Sequence, residues 1–158
     1  MSNKTEDVFY DVVMMKNIKT KEEAISYLAK HLQEKGYVNE NYELATIKRE
    51  HIFPTALPTK PIGIAVPHSE TENVIKQAVV LGITDNLIEF SEMGNDESKV
   101  NVGIMFLLAL KGEDNHLNYL RNIVNYCKVE DNVSRLYTSK YVDDAYRILM
   151  SEILKIES

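Results

Sequence analysis

The stretch Val100-Asn-Val-Gly-Ile-Met-Phe-Leu-Leu-Ala-Leu110 decides the fold. Its first half alternates, with Val100, Val102 and Ile104 at every second position, and its second half is apolar on both faces. A strand apolar on both faces needs cover on both sides, which places it centrally in a sheet under helices. Gln77 to Ile83 reads as another buried strand, and Val8 to Met15, short and partly β-branched, as the first one. Between these strands lie helical patterns. Thr20 with Glu23 makes a capping box and Gly36 offers a C-cap. Ala24, Ile25, Leu28 and Leu32 recur between them at helical spacing. A second helix spans about Asn41 to Glu50, with Leu44 and Ile47 expected on its inner face.

All four prolines fall between Pro54 and Pro67. Proline fixes φ and removes a donor, so this segment is not one regular element. It reads as a loop, a short strand from Ile62 to Val66, and a break at Pro67. After Leu110 a helix starts near Asp114 or Asn115, with Leu117, Leu120, Val124 and Cys127 as its stripe. A short helix covers about Asp131 to Tyr137. The last runs from about Tyr141 to Ile156 and sets Val142, Ala145, Leu149, Ile153 and Ile156 on one face. Interleaved strands and helices predict an α/β domain with helices on both sides of a mixed sheet.

The 158 residues suit one domain with a single core, and 44% hydrophobic with 27% charged residues is an ordinary globular balance. Net charge is −6 and the sequence pI near 5.3. Without a basic cluster, nucleic acid and anionic membrane are poor partners, and a basic protein is a good one. The polar N-terminus lacks a signal-peptide core. The longest apolar run, Ile104 to Leu110, is too short to span a bilayer. A single cysteine, Cys127, excludes an internal disulfide and continues a helical stripe as a small core residue. A soluble cytoplasmic protein is expected.

His68 follows a short apolar strand and a proline, at the strand end where ligand sites of open α/β sheets gather. Neutral imidazole is a competent nucleophile near pH 7. Position alone also permits an ordinary surface-loop histidine. His116 lies in the first turn of its helix, where free N–H groups favour a phosphate, or where a histidine is simply solvated. Arg49 and Glu50 close the second helix, and a guanidinium there suits either phosphate oxygens or solvent. His31 reads as solvated, and His51 has no setting that suggests chemistry. His68-Ser69-Glu70 matches half of the zinc-deaminase signature, but one cysteine cannot supply the Pro-Cys-x-x-Cys half. The Gly-x-Ser-x-Gly elbow and the phosphate-cradling glycine loops are absent.

Leu57 to Ile83, LPTKPIGIAVPHSETENVIKQAVVLGI, resembles enzyme IIA of the fructose/mannitol superfamily of sugar phosphotransferase systems. Gly63-Ile64-Ala65-Val66-Pro67-His68 matches the segment that carries the phosphorylated histidine in that family. Arg49-Glu50 falls where the family has its Arg-Glu pair, and His116-Leu117-x-x-Leu120 resembles its second-histidine motif. Tyr42 follows the family pattern too. Leu57-Pro58-Thr59 and Phe90-Ser91-Glu92-Met93-Gly94 look like the galactitol-specific branch.

The resemblance implies a single domain over residues 1–158 with the mannitol-type enzyme IIA fold. That fold is a three-layer α/β/α sandwich whose mixed sheet has about four to five strands. It implies a phosphocarrier in which His68 accepts phosphate from HPr and passes it to a cysteine on a IIB protein. IIB then serves sugar crossing the membrane through IIC, for galactitol or a related polyol. His116 and Arg49 would steady the phosphate. No metal, nucleotide or other cofactor is implied. With no IIB-like segment and no membrane span, a separate diffusing chain is expected. Two other readings are a IIA-like regulatory module whose histidine phosphorylation controls a partner, and a metal-dependent hydrolase built on His68, Glu70 and His116.

Overall fold

The computed structural model describes residues 7–156. Four strands form one mixed sheet: β1 (Phe9–Met15), β2 (Gly63–Ala65), β3 (Ala78–Glu92) and β4 (Asn95–Ala109). Their spatial order is β1-β3-β4-β2. β1 runs parallel to β3 from Phe9↔Ala78 to Met15↔Thr84. β3 and β4 form a long antiparallel hairpin, and β2 runs parallel to β4. Helices α1 (Lys21–Glu34) and α2 (Tyr42–Ile52) follow β1. Helices α3 (Glu113–Cys127), α4 (Glu130–Tyr137) and α5 (Val142–Arg147) follow β4, and a π-helical turn over Ile148–Ile153 extends α5.

The sheet is covered on both faces. Ile25, Leu28 and Leu32 of α1 and Tyr42 of α2 pack on Met15, Val80, Met105 and Leu107. On the other face, Ile123, Val133, Leu136 and Leu149 pack on Leu81, Ile104, Phe106 and Leu108. Neighbours in sequence on β3 and β4 thus serve opposite layers, which is why that half of Val100–Leu110 is apolar throughout. Each such side chain contributes about 1.5–3 kcal/mol on burial. The expected α/β/α sandwich with a mixed sheet is what the chain forms, with four strands.

Several expectations need correction. β3 runs on to Glu92 rather than ending at Ile83, β4 starts at Asn95 rather than Val100, and the two meet at a turn where Gly94 has φ +79°. The polar run Thr84-Asp85-Asn86 reads as the end of a strand, yet beyond it Ile88 and Phe90 alternate inward and prolong the pairing. Leu44 is 72% exposed rather than inward. α2 instead buries Tyr42, Thr46 and Glu50, one face at four-residue spacing, because both polar members have hydrogen-bond partners. On α3 the buried set is Ile123, Tyr126 and Cys127, while Leu117 and Val124 are exposed. Val142 is exposed as well. His31 is not freely solvated: its Nε2 pairs with Asp11 Oδ2 at 2.7 Å. His51 pairs with Glu22 at the surface. Among the described residues, no helix is long and apolar enough to cross a membrane.

Candidate active site

β2 and β4 are parallel neighbours, so they end at the same edge of the sheet. The segment leaving β2 carries His68 and the segment leaving β4 leads to His116, which brings the two together. Their ring centroids are 4.2 Å apart at an interplanar angle of 48°. Leu108 anchors this edge. Its N–H donates to Pro67 O at 3.1 Å, and its C=O accepts from the buried Tyr42 hydroxyl at 2.9 Å. One residue of β4 thereby ties down both α2 and the Pro-His segment.

The tautomer of His68 follows from its partners. Nδ1 lies 3.0 Å from Val66 O, and a carbonyl can only accept, so Nδ1 carries the hydrogen. Nε2 then keeps its lone pair, which accepts from Arg49 Nε at 3.2 Å. Burial lowers the His68 pKa, the Val66 carbonyl opposes this, and the Arg49 charge lowers it further. Burial also pushes His116 down, to about 4, aided by His68 and Arg49. Both rings are therefore neutral at pH 7, and one presents a nucleophilic nitrogen.

Arg49 reaches this point from the last turn of α2. Its Nη1 donates to Glu70 Oε2 at 2.8 Å, and its guanidinium carbon lies 5.2 Å from the centre of the Phe53 ring. Arg49, His68, Ser69, Glu70, Gly112 and His116 line an open depression of about 520 Å³. One wall is the N-terminal turn of α3. Gly112 caps that helix at φ +90° and, having no side chain, leaves its first N–H groups without a side-chain cap. Ser69 Oγ is buried beside His68 with no hydrogen-bond partner among the described residues.

The metal-hydrolase reading does not survive this arrangement. Arg49 lies against both His68 and Glu70, so a guanidinium occupies the space a cation would need. Among the described residues, no group of three or more His, Cys, Asp or Glu side chains is placed to hold a metal ion.

Two further residues support the site from behind: Glu50, the second member of the Arg-Glu pair, and Thr55. The Glu50 carboxylate is buried and accepts from Thr55 N at 2.9 Å and Thr55 Oγ1 at 2.8 Å. Thr55 Oγ1 in turn accepts from Val66 N at 3.0 Å. Val66, whose carbonyl orients His68, is thus held from behind by a chain running back to α2. Burial raises the Glu50 pKa to about 7, against the Thr55 hydrogen bonds, which lower it. In sequence Glu50 is visible as half of the Arg-Glu pair, but nothing there shows that it holds Thr55. Thr55 sits unmarked in the proline-rich loop, and no spacing rule points to it.

The profile of the family described as "Phosphoenolpyruvate-dependent sugar phosphotransferase system, EIIA 2" matches residues 10–152. The chain belongs to this EIIA 2 family. It is 34% identical, over 84% of its length, to the mannitol-specific EIICBA component of Vibrio cholerae. It spans only about a fifth of that relative's length (20%). It is 27% identical to the galactitol-specific EIIA component of Escherichia coli K12, covering 73% of this chain and 77% of that one. Among solved structures it resembles the E. coli mannitol enzyme IIA, determined in complex with phosphorylated mannitol enzyme IIB. The TM-score is 0.74 at 26% identity, covering 88% of this chain and 93% of the other. The fold and the EIIA 2 membership expected from the Pro-His, Arg-Glu and second-histidine segments therefore hold.

Proposed function

We propose that this EIIA 2 protein is a cytoplasmic phosphocarrier, with His68 Nε2 as the phosphoryl acceptor. The observation that carries this reading is the fixed tautomer: Nδ1–H bonds Val66 O, and the Nε2 lone pair faces the depression beside Arg49 and His116. The donor is the phosphohistidine of HPr. Nε2 attacks phosphorus in line, the donor's P–N bond breaks, and its electron pair returns to the donor imidazole. The new P–Nε2 bond leaves positive charge on the His68 ring, which the Val66 carbonyl stabilises through Nδ1–H. Arg49 Nε is released from Nε2 and turns to the phosphoryl oxygens, where a guanidinium is strongest. His116, neutral beforehand, donates one N–H to the same oxygens and gains basicity beside the arriving charge. A cysteine thiolate of a IIB protein then takes the group and restores neutral His68, and IIB serves the membrane component IIC.

Positioning and charge stabilisation are the whole of this chemistry. Similarity to both a mannitol-specific and a galactitol-specific protein supports a hexitol as the cargo class, with galactitol as one member.

Incubation with phosphoenolpyruvate, enzyme I and HPr tests the reading. His68→Ala is expected to take up no phosphate. His116→Ala keeps the acceptor but transfers more slowly, by about 100-fold, the lower end for losing one donor aimed at developing charge. Labelling of His68→Ala at another residue would overturn the assignment.

A further inference from the structure

Glu70 lies two residues beyond the acceptor histidine and has no part in the transfer as described. Its Oε2 accepts from Arg49 Nη1 at 2.8 Å, while Arg49 Nε donates to His68 Nε2 at 3.2 Å. One guanidinium thus joins a carboxylate to the nitrogen that is to be loaded. The Glu70 side chain is 59% exposed and that of Arg49 32%. A pair so open to solvent adds little to the stability of the fold. Its position inside the depression is what gives it consequence.

A phosphoryl group on Nε2 brings up to about two negative charges to the place Arg49 Nε now fills. Phosphoryl oxygens and the Glu70 carboxylate then compete for a single cation, and the two anions repel. The geometry points to Glu70 as the residue that sets the phosphoryl-transfer potential of His68. It serves as the counter-anion of Arg49 while His68 is empty and raises the energy of the loaded state. This inference rests on His68 being the acceptor. A carrier must release its group as readily as it takes it, and a built-in competitor for the cation eases release. The bonds exchanged are unchanged: the donor P–N bond breaks, its electron pair returns to the donor imidazole, and P–Nε2 forms.

The test is the equilibrium of His68 loading against phosphorylated HPr, read by phosphorus NMR on the full chain. Glu70→Gln keeps the shape and removes the charge. Its loading constant is expected to rise by about two- to fivefold, the range an exposed ion pair represents. The gap from the natural protein should shrink at about 1 M salt, where such charges are screened. If Glu70 merely held Arg49 in place, the substitution would free the guanidinium and loading would fall. A constant that is unchanged or lower overturns the inference while leaving His68 as acceptor. Failure of the natural protein to load at all overturns both.

Discussion

Burial acts on Glu50 and His116 in opposite directions, and the consequence can be measured. Folded Glu50 holds its proton to about pH 7, against a reference of 4.5. The folded state therefore binds more protons between those values. The stability this supplies is complete below pH 4.5 and is lost as pH rises through 7. Folded His116 titrates near 4, against 6.5. Its contribution is complete above pH 6.5 and is lost as pH falls through 4. Glu50→Gln removes the first effect and leaves the second. Glutamine reproduces protonated glutamate toward Thr55, with a carbonyl for the N–H and a donor for Oγ1. The unfolding free energy of the Gln variant, minus that of the natural protein, is thus expected to climb from pH 4.5 to 7 and to stay level below 4.5. Denaturant titrations at several pH values give this difference, and other titrating groups cancel in it. A difference independent of pH would show that Glu50 does not titrate in this range.

At the scale of elements, β2 is three residues long yet sets the position of the Pro-His segment. Gly63 permits it. A Cβ there would lie 2.2 Å from Val100 Cγ1, 3.0 Å from Asn101 O and 3.1 Å from Leu57 O. The two backbone atoms cannot move aside cheaply, and the β2–β4 register already shifts at this point. Gly63→Ala is expected to destabilise the protein by about 1–3 kcal/mol, the usual cost of overpacking. A melting temperature equal to that of the natural protein would refute this close approach. Elements whose signals are local were legible in the sequence. The capping box at Thr20 and Glu23 forms as expected, with Thr20 Oγ1 accepting from Glu23 N at 3.1 Å. β1, β2 and the helix start before His116 also fall close to their expected places. What depends on tertiary partners was not legible. The inward face of α2 follows Thr46 and Glu50, polar residues whose burial makes sense only once Tyr42 O and Thr55 are beside them. The far half of the β3–β4 hairpin hides behind three polar residues. For the site, His68, His116 and Arg49 were visible through motif resemblance. The Glu50–Thr55–Val66 chain was not, because nothing in the loop's composition distinguishes Thr55.

For the whole molecule, the proposed relay requires two different partners to use one face in turn, so contact must be brief. The depression is open, and exposed Phe53 and Leu117 stand beside it. Their burial against a partner adds short-range attraction that salt does not weaken. The net charge of −6 acts at longer range and favours approach of a basic donor face. These two contributions separate by ionic strength. Screening shortens the reach of the field from about 10 Å at 0.1 M to about 3 Å at 1 M salt. The second-order rate of phosphoryl transfer from HPr should therefore fall by about tenfold across that range, within the span attributed to electrostatic steering. The first-order step inside the encounter complex should change much less, because Arg49, His116 and the reacting nitrogen are then shielded from solvent. Rapid-quench measurements at saturating and limiting HPr distinguish the two. If the second-order rate is insensitive to salt, the apolar rim around the depression alone governs the encounter, and the acidic balance of the chain serves solubility instead.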